Sequence, residues 1–175
     1  MKYLLFILFF VIQLSAISQS ADDIVQYDKL NIKFVEYLVK EKVNQFRQEK
    51  NIAPLRLDSM LYLPAEDHTY FMQQRNRLTH FQARGAKHDP QRRFEYFEIN
   101  HVMAGENIQY IPINSLIKVD YQKDVVNIRT YNDLAEVLAN NWRYSKPHYA
   151  NIITKEFSVT AVLTAEGQDS ASNKA

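Results

Sequence analysis

The stretch AGENIQYIP brings together a glycine, a carboxylate and an amide. The chain has only three glycines, and one of them, Gly105, stands directly before Glu106 and Asn107. Glycine has no Cβ, so it accepts positive φ or lets another part of the backbone come close. The carboxylate of Glu106 can pair with a neighbouring cation, for which Arg92 and Arg93 are the candidates, or it can face a cleft. We expect Asn107 to hydrogen-bond nearby backbone and fix the loop.

The residue types that are missing narrow the chemistry further. Cysteine is absent, which excludes a thiol nucleophile, a thiolate-ligated zinc and any disulfide. The sequence contains no G-x-S-x-G elbow, no H-E-x-x-H pair and no glycine-rich phosphate loop. The sequence therefore offers none of these common routes to catalysis.

Charge and the amino-terminal pattern indicate an exported, single-domain protein. Basic and acidic residues number 21 and 20, a balance that favours neither nucleic acid nor an anionic membrane. Residues 1–18 have the pattern of a signal peptide, with Lys2, an apolar run and small residues before a predicted cut after Ser18. We expect a domain over residues 24–166, a disordered polar tail over residues 167–175, and no membrane span after cleavage. The predicted location is secreted or periplasmic.

Apolar spacing predicts four helices around these residues. The first covers 30–50 with Asp28 as its cap, and the second covers 59–77 with Asp58 as its cap. Pro64 should kink or split the start of the second helix. The third covers 88–98, and the fourth covers 130–142. The residues expected to face inward from the first, second and fourth helices are Val35, Leu38, Val39, Val43 and Phe46; Leu61, Ala65, His68 and Met72; and Leu134, Val137, Leu138 and Trp142.

Further signals mark the helix ends and the strands. Asp89 and Pro90 suit the cap and first position of the third helix, and Pro147 should end the helical region after the fourth. Alternating side chains predict a strand over 157–164, and the stretch 115–130 favours a hairpin.

The ordered motifs VNQFRQEKNIAPLRLDSML, AEDHTYFM, LTHF, GENI and NNWRYSKPHYANI resemble the CAP superfamily of SCP-like extracellular proteins. This superfamily includes the cysteine-rich secretory and pathogenesis-related class 1 proteins, and the likeness spans about residues 36–164. The bacterial, cysteine-free branch is the most similar. The resemblance implies an α+β fold, an α-β-α sandwich with a small antiparallel sheet between helices.

The resemblance also implies a central cleft with two histidines and up to two glutamates. His80 in LTHF and His148 in SKPHYANI match the histidines, and Glu106 in GENI matches the first glutamate. Ser145 stands where animal and plant members place the second glutamate. Glu136 cannot replace it, because nine residues along a helix turn the side chain by about 180°.

A cleft of this kind implies a site for zinc or another divalent ion at His80 and His148, with Glu106, Asn107 and Ser145 as further binding residues. Glu106 is either a ligand or an acceptor that orients an imidazole, and we favour the second role. Ion binding should weaken below about pH 6, because only neutral imidazole is a ligand. His68 lies on the inward-facing stripe of the second predicted helix, so we expect it to be a structural residue. His88 and His101 have no supporting pattern, while Asn44 and Arg47 should make structural polar contacts.

Three functions are compatible with this cleft. The first is a secreted, non-catalytic module that binds a divalent ion and a small-molecule, lipid or peptide ligand. The second is a metal-dependent hydrolase, resembling a peptidase, with Glu106 as base. The third is an envelope interaction protein with a vestigial cleft. Family members share no established reaction, and the tail after Gly167 lacks the usual last edge strand. An open sheet edge could take a protein partner.

Overall fold

The structure is a computed structural model that describes residues 19–113 and 116–165. The predicted signal peptide at 1–18 and the predicted tail at 167–175, with its missing edge strand, lie outside the described residues. Among the described residues, no helix combines the length and apolar character needed to cross a membrane.

Five α-helices and four short strands make up the described chain, and they confirm the α+β class. Their order is α1 Ile32–Glu49, β1 Arg56–Leu57, α2 Tyr62–Arg75, α3 Pro90–Tyr96, β2 Leu116–Ile117, β3 Val126–Asn127, α4 Tyr131–Tyr144, α5 Lys146–Ile152 and β4 Val159–Thr160. Two 3-10 turns, Tyr27–Lys29 and Ser59–Leu61, precede α1 and α2.

The strands form two separate pairs. β2 and β3 are antiparallel, which confirms the predicted hairpin. β1 and β4 are parallel, with Arg56 opposite Val159 and Leu57 opposite Thr160. The expected small sheet is thus antiparallel in only one of its two pairs. Parallel strands need a long crossover connection, and here α2, α3, α4 and α5 all lie between β1 and β4.

The apolar core lies between α1 and α4, as the spacing of their apolar residues predicts. Val35, Val39, Leu134 and Ala135 are almost fully buried and pack together with Ile128. A second cluster of buried residues continues this core. It consists of Val43, Phe46, Leu55, Ala139 and Ile152. Two ion pairs on the surface also join these helices, Lys42 to Glu136 and Arg143 to Glu49.

A buried arginine ties the loops around this core to α1. The Arg47 side chain is fully buried, and its guanidinium donates to the carbonyls of Ala53, Ile152, Thr154 and Phe157 at 2.7–2.9 Å. Asn44, one turn earlier on α1, exchanges two hydrogen bonds with the backbone of Leu55. The structural role predicted for Asn44 and Arg47 is confirmed.

Helix ends were predicted with mixed success. Asp89 accepts from the Arg92 amide with Pro90 at the start of α3, as expected. The cap of α1, however, is Asn31, and the prediction of Asp28 was wrong. Pro147 does not end the helical region but lies in the first turn of α5, where the missing N–H needs no partner.

The start of α2 shows how the chain accommodates its proline. Asp58 caps the 3-10 turn Ser59–Leu61 by accepting from the Met60 amide, so the predicted acid does begin this region. Pro64 then occupies the first turn of the α-helix, and the predicted helix is split into a 3-10 and an α segment.

Candidate functional site

Glu106 lies at the centre of a polar cluster that joins three separate segments. Its carboxylate is 19% exposed. One oxygen accepts from Arg93 Nη2 at 2.5 Å, and the other lies 2.9 Å from Nδ1 of His80. Glu106 therefore pairs with Arg93, one of the two candidate cations that the sequence offered, and also contacts His80.

Arg93 positions both partners of this contact. Its side chain is 1% exposed and points back from α3. Besides the bond to Glu106, Nη1 donates to the carbonyl of His80 at 3.1 Å and approaches that of Lys87 at 3.5 Å. A single buried guanidinium thus fixes the Glu106 carboxylate and the loop that carries His80.

His80 is held in one tautomer by these contacts. An ionised carboxylate only accepts, so the hydrogen bond to Glu106 places a proton on Nδ1 of His80. In the neutral ring, Nε2 then carries a lone pair, and the side chain is 41% exposed. The arrangement leaves Nε2 available as a metal ligand or proton acceptor.

His148 lies on α5 and is connected to Glu106 through two asparagines. Asn107 Nδ2 donates to the His148 carbonyl at 3.0 Å, and Asn151 Nδ2 donates to Asn107 Oδ1 at 2.8 Å and to the Glu106 carbonyl at 3.2 Å. Burial lowers the pKa of His148, and the charge of protonated His80 lowers that pKa further. The neutral form of His148 is therefore favoured.

Among the described residues, Ser145 has no hydrogen bond from its side chain to this cluster, and His148 joins the cluster only through its backbone carbonyl. It ends α4 and precedes α5, and its backbone bonds Trp142 and Tyr149. Its hydroxyl does not cap α5. The structure thus brings together His80, Glu106 and Asn107 with the backbone of His148.

His68 belongs to the cluster, although its pattern predicted a structural residue. It is 2% exposed, its Nε2 donates to the Thr79 carbonyl at 2.6 Å, and the same nitrogen lies 3.7 Å from Glu106. Its Nδ1 accepts from Gln82 at 3.3 Å. Burial lowers the pKa of His68 more than the attraction of Glu106 raises it, so the buried ring is neutral. The structural role holds, but the position beside Glu106 could not be read from the helix stripe.

Gly105 allows a close contact with the ring of Phe157, which the sequence did not indicate. A Cβ on Gly105 would lie 2.6 Å from the ring of Phe157, closer than real Cβ contacts allow. The predicted reasons were positive φ or an approaching backbone, whereas the neighbour is an aromatic side chain. Gly105 therefore lets the Glu106 segment lie directly against Phe157, which packs on the second core cluster.

A large cavity, open on one side to the surface, begins on the other side of Glu106. Its volume is about 1340 Å³, and His68, Arg93 and Glu106 are among its lining residues, whereas His80 and His148 are not. The stripe of α2 that was predicted to pack in the core lines this space instead. Several of its lining residues, among them Met103 and Tyr110, are exposed, so the pocket is open to the surface and holds solvent or a bound molecule.

The fold and this cluster define an α+β domain in which a partly buried glutamate is held by an arginine and a histidine, and a comparison with protein families assigns the chain to a family. The chain belongs to the CAP family, described as the cysteine-rich secretory protein family, whose sequence profile matches residues 40–172. Comparisons with individual curated proteins and with solved structures give no match. The resemblance stated from the motifs is thus confirmed at the level of the family.

Proposed function

We propose that this chain is a non-catalytic binding module that holds a divalent ion, zinc in the first instance, between His80 and His148. The hydrogen bond between His80 Nδ1 and Glu106 is the observation that carries the proposal. A carboxylate that accepts from the far nitrogen of an imidazole fixes the tautomer and raises the basicity of a ligating histidine. The remaining positions on the ion would take water or an oxygen of a small or peptidic ligand.

The donor set fits a site with two protein ligands better than a triad. Both carboxylate oxygens of Glu106 already accept hydrogen bonds, from Arg93 and His80. Among the described residues, no group of three or more His, Asp or Glu side chains is arranged to hold one ion. Glu106 is therefore assigned the role of orienting His80, which is the role that the sequence analysis favoured. A bound ion would supply positive charge for ligand oxygens at the mouth of the cleft.

The hydrolase alternative gains no specific support from this geometry. It would need Glu106 to accept a proton from an ion-activated water. The Arg93 guanidinium holds one oxygen of Glu106, and the His80 ring holds the other. The carboxylate is thereby committed to positioning its neighbours.

We extend the proposal to location and partners. The pattern at 1–18 supports export, to the periplasm or beyond, and a small-molecule, lipid or peptide ligand would then be met outside the cytoplasm. The balanced charge supports no nucleic-acid partner.

Zinc titration by calorimetry tests the ion site. The wild type should bind one zinc with Kd below about 10 μM at pH 7.5, and His80→Ala or His148→Ala should abolish binding. Glu106→Gln should weaken binding by about 10- to 100-fold, as expected for a residue that orients a ligand. His101→Asn, which removes an imidazole outside the cluster at a residue with φ of 60°, is the matched control and should bind as the wild type does.

Two outcomes of the titration separate the other functions. If the wild type binds no zinc, the proposal is overturned and the envelope interaction protein with a vestigial cleft remains as the function. Zinc-dependent cleavage of a broad peptide library that Glu106→Gln removes would favour the hydrolase instead. Binding should also weaken below about pH 6, where the imidazoles gain protons.

A further inference from the structure

A smaller pocket lies at the end of α2 and along the loop that follows it. Its volume is about 430 Å³, within the roughly 300–1,000 Å³ of small-molecule sites. Its walls include Phe71, Arg75, Arg77, Thr79, Phe81 and Gln82. Of these six residues, only Arg77 also lines the large cavity, and neither His80 nor Glu106 lines the smaller pocket. The pocket is therefore separate from the large cavity and from the proposed ion site.

The end of α2 places two arginines at this pocket. Asn76 adopts the left-handed conformation, and its N–H donates to the carbonyl of Gln73. The N–H of Arg77 donates to the carbonyl of Met72. These two hydrogen bonds form a Schellman motif, which turns the chain sharply at the end of a helix. Arg75 and Arg77 flank that turn, so the backbone that carries both side chains is fixed.

Both guanidinium groups lack an acidic partner in the part of the chain that the structure describes. Arg75 lies over the ring of Phe71, with Cζ 5.7 Å from the ring centroid, and neither arginine has an ion pair or a side-chain hydrogen bond with a described residue. The stretch 68–88 contains four lysine and arginine residues and no aspartate or glutamate. The acid just before it, Asp67, is paired with Lys87. The pocket therefore has a local excess of positive charge in a chain whose total charge is balanced.

The other polar side chains of the pocket already have partners. Gln82 Nε2 donates to Asp67 at 2.9 Å and lies 3.3 Å from Nδ1 of His68. The Thr79 hydroxyl accepts from the amide of Phe81 at 3.1 Å and donates to its carbonyl at 3.3 Å. Among these described side chains, the two guanidiniums are the donors that remain for a ligand. A guanidinium presents a fork of N–H groups that matches a carboxylate, so the complementary group is an anion.

Two phenylalanine rings add an apolar surface, and a histidine ring supports each of them. Phe71 stacks on His68 with the centroids 6.1 Å apart, and Phe81 stacks on His88 with the centroids 5.2 Å apart. Phe81 is nevertheless 56% exposed. A bare inorganic anion would leave this ring in water, whereas an aromatic ligand could stack on it. The walls therefore favour an anion that carries a flat apolar body.

We propose that this pocket binds a small aromatic carboxylate, whose charged group pairs with Arg75 and Arg77 while its ring lies against Phe81. The site goes beyond the proposed ion-binding function and does not depend on it. It requires no residue of the cluster around Glu106.

Three probes separate the contribution of the charge from that of the ring. 2-Naphthoate carries both, 2-naphthamide carries the ring without the charge, and acetate carries the charge without the ring. In proton–nitrogen correlation spectra, naphthoate should bind with a Kd of about 1 mM or tighter, about tenfold more tightly than either other probe. The amide signals of Thr79, Gln82 and Ala83 should shift. Raising sodium chloride from about 50 to about 500 mM should weaken the binding of naphthoate, because salt screens exposed charges.

Substitutions at exposed arginines test the assigned donors without disturbing the core. Arg75→Gln and Arg77→Gln should each weaken naphthoate binding by about tenfold, and the double variant should lose the preference for naphthoate over naphthamide. Arg84→Gln is the matched control, because Arg84 is exposed in the same basic stretch but does not line the pocket. It should bind naphthoate as the wild type does.

The titrations are made with EDTA present, so that the carboxylate cannot bind through an ion at the histidines. His148→Ala should then bind naphthoate as the wild type does, even though it is expected to lose zinc. The result is thereby distinguishable from the fate of the ion site.

Three outcomes would overturn the proposal. They are no binding of naphthoate, equal affinities for naphthoate and naphthamide, and an unchanged affinity for naphthoate in the double arginine variant. Shifts confined to residues that line only the large cavity, such as Ile108 and Val159, would also overturn it and would assign the probe to that cavity.

Discussion

The packed body formed by α1, α4 and α5 differs sharply from the layer formed by α2 and α3. In the body, apolar side chains are buried against one another in two continuous clusters. Neither cluster includes a residue from α2 or α3. The layer has two nearly inaccessible polar groups, His68 on α2 and Arg93 on α3, and the body has two of its own, Glu36 and Arg47 on α1.

The difference shows that two kinds of interaction hold the two regions. The body is stabilised mainly by apolar burial, which is insensitive to pH, and its loops are tied to α1 by the guanidinium of Arg47. The layer depends on hydrogen bonds and ion pairs that converge on Glu106, and on the solvent or bound molecule that fills the cavity. His80, Glu106 and Arg93 therefore lie in the part of the molecule that is easiest to perturb without unfolding the rest, whereas His148 lies on α5 of the body.

The largest effect should follow a change in the body. Arg47→Met removes the donors from four carbonyl groups, those of Ala53, Ile152, Thr154 and Phe157. Each hydrogen bond of this kind contributes about 1 kcal/mol, so the loss of four should lower the free energy of unfolding by about 4 kcal/mol. Urea unfolding measures this loss, and amide hydrogen exchange should accelerate throughout the domain. Arg47→Lys retains the charge but not the fork of donors, and should be intermediate. A loss below about 1 kcal/mol would show that Arg47 does not stabilise the loops around the core.

A smaller and more local effect should follow a change in the layer. Arg93→Met leaves the Glu106 carboxylate without its cation, and we expect a loss of about 2–3 kcal/mol because that carboxylate still reaches solvent. Hydrogen exchange should accelerate in α2, α3 and the His80 loop while α1 and α4 stay protected. Arg92→Met is the matched control, since Arg92 is exposed and should contribute less than about 0.5 kcal/mol. Equal acceleration in α1 would show that the two regions unfold as one.

The smallest effect concerns pH and also belongs to the layer. Burial lowers the pKa of His68, Glu106 raises it, and the charges of Arg93 and His80 lower it. Because the unfolded value is about 6.5, the contribution of neutral His68 to stability is complete above that pH and is lost as the pH falls below it. Between pH 7 and pH 5, the wild type should lose about 1 kcal/mol more than His68→Gln in paired urea titrations.

The control for the pH experiment is a neighbouring imidazole. His88 stacks on Phe81 and contacts the Gln82 carbonyl. His88→Gln should keep the pH dependence of the wild type. If the curves of the wild type and His68→Gln stay parallel down to pH 5, the neutral buried state of His68 is refuted.

The elements of the body were predictable because local periodicity determines them. The stripe from Val35 to Phe46 repeats at three and four residues, and any helix with that stripe buries it. The cap of α3 at Asp89 follows from equally local chemistry. The cap of α1 was misplaced because Asn31 and Asp28 are both good caps, and the choice between them depends on where the preceding 3-10 turn ends.

The site was predictable only in part, because its contacts join residues that are distant in the chain. His80, Glu106 and His148 came from motifs, and the sequence offered Arg92 and Arg93 equally as partners of Glu106. The helical position decides between the two arginines, since Arg93 points inward from α3 while Arg92 is exposed. Asn151 was missed, although it lies one helical turn after His148 in the same motif.

The cavity could not have been predicted from the pattern of α2. Leu61, Ala65, His68 and Met72 form a stripe that normally indicates close packing. Periodicity shows which face of α2 points inward, but it cannot show whether another element packs directly against that face. The gap between α2 and the opposite side of the cavity is set by β1, β4 and the segment that carries Gly105.

The two surface ion pairs between α1 and α4 have a consequence for how this chain folds and varies. Lys42 and Glu136, like Glu49 and Arg143, are separated by 94 positions in sequence. Joining the two helices therefore closes a loop that contains His80, Glu106 and the whole of α2 and α3. The entropy of closing such a loop rises only by about 0.6 kcal/mol for each doubling of its length. Descendants of this chain can accordingly lengthen or exchange the intervening segments, and so acquire new specificities, while the helices that frame them keep the same register.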